Sequence, residues 1–204
     1  TGAEKLTGEL SARRHALEKQ LQDTFPPWEE EVGEFIPKVN NAKLGYVKGV
    51  PVLRKKTIEF NPGSRHHIAS RLKAIHGWSP SEYTPDGSAK VDEAVLSKLP
   101  YPEAKLLTEY LMVQKRLGML SEGNHAWLKL VRNGKIHGEV LTNGAVTGRA
   151  THRNPNIAQV PAVGVPYGQE CRSLFRASYD RVLVGVDVSG LELRLLAHFM
   201  HTYD

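Results

Sequence analysis

An aspartate, Asp187, stands in the run Val184-Gly185-Val186-Asp187-Val188-Ser189-Gly190-Leu191-Glu192, where a β-branched apolar stretch gives way to a helical pattern. A carboxylate inside such a run is costly to bury unpaired, so it must meet a cation, a donor cluster or water at the strand end. That placement suits a metal-assisted catalytic site. Locally two plainer readings stay open: Asp187 as a turn or capping aspartate, and Ser189-Gly190-Leu191-Glu192 as a capping box in which serine and glutamate satisfy each other's backbone donors.

The elements that must position Asp187 can be read on both sides of it. Arg181 to Val188 is rich in valine and leucine and predicts a strand packed on at least one face. Leu191, Leu195 and Phe199, beside Leu196, recur at helical spacing and predict an amphipathic helix with Ser189 as its N-cap.

Upstream the pattern is mostly helical. Leu6, Leu10, Leu17 and Leu21 place a long helix over about 4–22, ended by Phe25-Pro26-Pro27. Residues 28–57 show no sustained period and carry Lys43, Lys48, Arg54, Lys55 and Lys56, which predicts an extended loop or a small hairpin module. Asn61-Pro62-Gly63-Ser64 predicts a turn and cap before a helix marked by Ile68, Leu72 and Ile75 and closed by Gly77. Asp92 caps a short helix. Pro102 then opens the strongest stripe, Leu106, Leu107, Tyr110, Leu111 and Leu117, and a further helix includes Trp127 and Leu130. From Lys135 the period changes, and Glu139 to Leu141, Asn143-Gly144 and Ala145 to Thr147 predict a hairpin. There are no internal repeats.

The 204 residues carry a formal net charge of +5, which favours a polyanionic partner without identifying one. The single cysteine, Cys171, excludes an internal disulfide and a CxxC zinc site, and no histidine pair has HExxH spacing. No apolar run is long enough to span a bilayer, which predicts a soluble intracellular chain.

Three ordered elements carry a specific resemblance. Asp187-Val188-Ser189-Gly190-Leu191-Glu192-Leu193-Arg194 resembles motif A of the family A DNA polymerases. Thr147-Gly148-Arg149 and Asn154-Pro155-Asn156-Ile157-Ala158-Gln159-Val160-Pro161 resemble the family's TGR and PN-x-x-Q-x-P elements. The stretch from Tyr167 to Phe175 is similar to the phage branch that recruits host thioredoxin. The resemblance implies an α+β fold: a mostly helical thumb over 1–134, with a short basic insertion at about 28–57, then the first antiparallel strands and motif A helix of a palm over 135–204. It implies that Asp187 and the Val188 backbone carbonyl bind Mg²⁺ in a two-metal site for nucleotidyl transfer. In this reading Glu192 excludes a ribose 2′-hydroxyl and Arg149, Asn156 and Gln159 reach the primer-template minor groove. Acceptors there occur in every base pair, so a donor checks shape without choosing sequence. Arg65, Arg71, Lys115 and Arg116 are candidate phosphate contacts, and a solvated helix face is the plainer reading of each.

The family also needs a fingers motif for the incoming deoxynucleoside triphosphate and a later His-Asp-Glu motif for the second metal aspartate, and neither occurs in these residues. The expectation is the amino-terminal piece of a split or truncated polymerase, inactive alone and completed by a second polypeptide, working in the cytoplasm of an infected bacterial host. The shortness of the 28–57 segment argues against thioredoxin binding; its basic residues are candidates for direct contact with duplex phosphates. The alternative from another class is a non-catalytic primer-template DNA-binding module. A nuclease built on Asp187 alone lacks the partner ligands such sites need.

Overall fold

The computed structural model describes residues 1–203, which form two compact units: one from Thr1 to Gln159, the other beginning at Val160. Helices and short antiparallel strands are combined, as the α+β expectation requires. The first unit is organised by two long helices. Helix α1 (Gly2–Thr24) opens with a capping box in which Thr1 and Glu4 satisfy each other's backbone groups, and it buries Leu6, Leu10, Leu17 and Leu21. Helix α4 (Pro102–Leu117) has proline in its first turn, where the missing N–H costs nothing, and buries Leu107, Tyr110, Val113 and Leu117.

The two helices pack on each other and are tied across their edges. Arg13 grips Glu109 through two bonds of 2.6 and 2.8 Å, a fork geometry that fixes orientation as well as charge. Tyr110 donates to Glu18 at 3.0 Å. Burial, reinforced by that carboxylate, pushes the phenol up to about 12. Arg14 reaches Glu122, in the π-helical turn Gly118–Glu122 that follows α4.

Between these helices lie α2 (Arg65–His76) and α3 (Glu93–Leu96). Ser64 accepts from the His67 N–H and Gly77 closes α2 in the left-handed conformation, while Asp92 accepts from the Val95 N–H at 2.8 Å. These four caps and turns stand where the sequence places them.

The 28–57 segment is a hairpin. Strands β1 (Trp28–Phe35) and β2 (Val52–Ile58) pair antiparallel, with a bulge between Glu31 and Gly33. The hairpin root is fastened to α2, because the Arg71 guanidinium lies 4.9 Å over the Trp28 ring and His67 meets the same ring edge-on.

After helix α5 (Trp127–Leu130), a tight hairpin of β3 (Val131–Arg132) and β4 (Lys135–Ile136) turns at Asn133-Gly134. A second hairpin pairs β5 (Glu139–Leu141) with β6 (Thr151–Arg153). This corrects the expected return strand at Ala145 to Thr147. Asn143-Gly144 does turn, but a second turn follows at once, with the Ala145 N–H bonded to Arg149 and the Gly148 N–H to Ala145, so the chain rejoins the ladder only at Thr151.

The second unit holds α6 (Gly168–Ser173) and α7 (Leu191–Tyr203). Residues 181–188 form no strand, contrary to the sequence expectation: Val182, Leu183, Val184 and Val186 are exposed. A strand exists by pairing with another, and among the described residues nothing pairs with this one. No helix is long and apolar enough to cross a membrane.

Candidate functional site

Helix α7 begins one residue later than the S-x-x-E pattern implies. The first intrahelical bond runs from the Arg194 N–H to the Gly190 carbonyl, so Gly190, at φ 62°, holds the cap position and Ser189 lies outside it. Arg194 also donates from Nε to the Ser189 carbonyl at 2.9 Å. The side chain of Arg194 thus folds back over the turn and fixes the two residues immediately after Asp187-Val188. Asp187 itself is exposed rather than buried, at the end of the extended segment. Glu192 sits in the first turn of α7. Among the described residues no three His, Cys, Asp or Glu side chains gather as a metal cluster.

Asp187 and the Val188 carbonyl are oxygen donors of the hard type that Mg²⁺ selects. Two such donors match part of its octahedral demand, and Mg²⁺ ordinarily keeps several waters and takes substrate phosphates for the rest. The donor chemistry therefore fits the ion.

Arg149, Asn156 and Gln159 belong to the first unit. Arg149 lies at the end of the double turn after β5, exposed. Asn156 accepts from the Ala158 N–H at 3.1 Å and so shapes the short 3-10 turn Ile157–Gln159 on which Gln159 is exposed. The start of this segment is clamped from β5, where Glu139 accepts from Arg153 at 2.6 Å and from Asn154 at 3.4 Å. Those two donors hold the Glu139 carboxyl below its ordinary range.

Of the four phosphate candidates, two come together. Arg65, at the start of α2, and Lys115, on α4, are exposed and line one open cleft of about 510 Å³ with Gln114. Asp92 and Glu93 also line it, but the Asp92 carboxylate is engaged with the α3 backbone. Arg71 is turned onto Trp28 instead. Arg116 requires a correction, being only 8 % exposed. It follows Val113 by three residues and precedes Leu117 and Leu120, so the α4 period carries it onto the core face while Lys115, one residue earlier, faces out.

The basic residues of β2 are likewise occupied. Lys55 stands opposite Glu31 and reaches Glu29 at 3.3 Å, Lys56 stands opposite Glu30, and Arg54 lies 4.4 Å over the Phe35 ring. Only Lys43 and Lys48 of the expected set project from the loop beyond the strands.

Sequence reasoning missed Arg172. It donates from α6 to the Pro161 carbonyl at 2.8 Å and to Val160 at 3.4 Å, fastening the end of the PN-x-x-Q-x-P element. It also gave no reason for Gly168. A Cβ there would be driven into the Ala162 carbonyl oxygen, a backbone atom that cannot move aside cheaply. Gly168→Ala is therefore expected to cost about 1–3 kcal/mol, the range for forcing extra atoms into a filled site. Amide exchange across residues 162–173 checks it, and unchanged protection would show that the loop does not close on this glycine.

Comparison with known structures places the fold among DNA polymerases: the polymerase domain of a DNA polymerase from M. smegmatis, solved with DNA primer-template and dNTP, superposes with a TM-score of 0.62 at 16% identity, covering 98% of this chain and 30% of that one. The family model for DNA polymerase family A matches residues 50–203, and the chain belongs to that family. It is 39% identical to the DNA-directed DNA polymerase of Escherichia phage T7 over 254 residues, covering 98% of this chain and 36% of that protein. It is 36% identical to DNA polymerase I of Helicobacter pylori over 72% of this chain and 16% of that protein. The chain thus spans about a third of the phage relative's length. The matched span of 254 residues exceeds the 204 present here, so the phage protein carries extra residues within it.

Proposed function

We propose that this chain is the primer-template grip and first metal-binding segment of a template-directed DNA polymerase acting in phage DNA replication, in the cytoplasm of an infected bacterial host. The observation that carries the reading is similarity over 98% of the chain to a phage DNA-directed DNA polymerase. Residues 1–134 serve as the thumb and 135–204 as the beginning of the palm.

In this reading Asp187 and the Val188 carbonyl hold Mg²⁺, with Arg194 bracing the turn behind them. When bound, the metal pair stabilises the attacking and leaving oxygens of nucleotidyl transfer. Glu192, on the rigid first turn of α7, stands against a ribose 2′-hydroxyl of the incoming deoxynucleoside triphosphate. Arg149, Asn156 and Gln159 face the minor groove at the primer end. Arg65 and Lys115 take phosphates across the thumb cleft without sequence preference. The second carboxylate and the triphosphate grip come from sequence outside these 204 residues, supplied to this chain by a second polypeptide in the reconstitution described below.

A salt titration of duplex binding tests the grip. Each phosphate neutralised adds about 0.9 to the slope of log K against log salt, so Arg65→Ala with Lys115→Ala should flatten that slope by about 2. A slope that stays as steep would remove both residues from the interface.

A further inference from the structure

Seven of the fourteen large apolar side chains exposed among residues 1–159 lie on the β1–β2 hairpin, which makes up about a fifth of that unit. Five of them, Ile36, Val39, Leu44, Val47 and Val50, stand on the loop 36–51 that joins the strands. Scattered exposed leucines and valines are ordinary, but a concentration on one ordered loop marks a contact surface.

The loop is ordered by its own bonds. Asn41 and Tyr46 exchange backbone hydrogen bonds, the Asn40 side chain accepts from the Lys48 N–H at 2.7 Å, and the Gly49 N–H reaches Pro37. Tyr46 packs edge-on against Phe35, where the loop meets the strands. The aliphatic side chains are thus held outward by a fixed backbone, and a partner meets them already in place.

Charge separates the loop from the strands that carry it. In the strands, four glutamates face two lysines and an arginine, and the cross-strand pairs largely cancel. The loop has Lys38, Lys43 and Lys48, all exposed, and no acidic residue. Phosphates would satisfy the lysines and leave the aliphatic groups in water. A protein segment with carboxylates and apolar side chains satisfies both.

We propose that loop 36–51 is a docking surface for an acidic segment of another protein, one whose carboxylates are interspersed with apolar side chains. Aliphatic contact excludes water from the lysine–carboxylate pairs and strengthens them, so the two kinds of contact reinforce each other.

The test uses the whole chain and two labelled synthetic peptides of equal length and charge, one alternating glutamate and aspartate with leucine and phenylalanine, the other with serine at every apolar place. The apolar-acidic peptide should bind at least about tenfold more tightly than the serine version. Its affinity should fall by about tenfold or more both in Lys38→Glu/Lys43→Glu/Lys48→Glu and in Val39→Ser/Leu44→Ser/Val47→Ser. Because these positions are exposed, folding should survive, and the two peptides compared on the unaltered chain decide the matter even where a variant misfolds. Equal binding of both peptides, or no binding of either, overturns the proposal. So does a variant set that weakens duplex DNA binding while leaving the peptide untouched, which would make the loop a nucleic-acid surface.

Discussion

Leu17→Ala is expected to lower the stability of the chain by about 2–5 kcal/mol, the range measured when a buried leucine is truncated in a packed core. Leu17 is fully buried, on the α1 face that also buries Leu10 and Leu21. The face it joins is closed by Leu107, Val113 and Leu117 of α4 and pinned at its rim by Arg13–Glu109 and Tyr110–Glu18. Two helices held along their length in this way collapse poorly around a hole, which is the condition for the upper part of the range. In a domain of this size the melting temperature should fall by roughly 5–15 °C. Leu44→Ala, on the exposed loop, is the matched control and should stay within about 0.5 kcal/mol. Equal losses from the two would mean that α1 does not form the spine of the thumb.

The second large effect is kinetic. Asp187→Ala should reduce metal-dependent primer extension by at least about a thousandfold in a polymerase assembled from this chain and a polypeptide carrying the fingers and the second palm carboxylate. Duplex binding should be unchanged, because the thumb cleft of Arg65 and Lys115 lies in the first unit and Asp187 in the second. Asp187→Asn is the sharper variant: it keeps the volume and removes the charge that a divalent cation requires. The side chain is exposed at the end of an extended segment, so neither change removes buried packing.

Much of the helical unit was legible because caps and periods are local. Ser64, Gly77, Asp92 and Pro102 each fix a helix end through the conformation of one or two residues, and the α1 stripe repeats often enough to be unmistakable. Thr1-Gly2-Ala3-Glu4 is a capping box that the same reasoning should have read, and Asn133-Gly134 is as strong a hairpin turn as Asn143-Gly144. Strands were harder, since a strand is defined by a partner that its own sequence does not name. Residues 181–188 have the composition of a core strand and no pairing among the described residues, while the partner of β5 lies beyond a double turn.

At the candidate site, side-chain types were legible and engagements were not. Lys115 and Arg116 are neighbours of like charge, yet one faces solvent and the other the core, a difference of one position in the helical period. The basic residues of β2 read as a phosphate surface until the register set Lys55 and Lys56 opposite Glu31 and Glu30. Gly168 and Arg172 had no local signal, because their roles depend on the carbonyls of Ala162, Pro161 and Val160 six or more residues away.

The decisive measurement is primer extension with Mg²⁺ by this chain mixed with the complementing polypeptide, run beside duplex binding for the unaltered chain and Asp187→Asn. Extension that appears only on mixing, and is lost in Asp187→Asn while duplex affinity holds, is the expected result. Extension that persists in Asp187→Asn would contradict it, and would leave the chain a DNA-binding module whose aspartate takes no part in the chemistry.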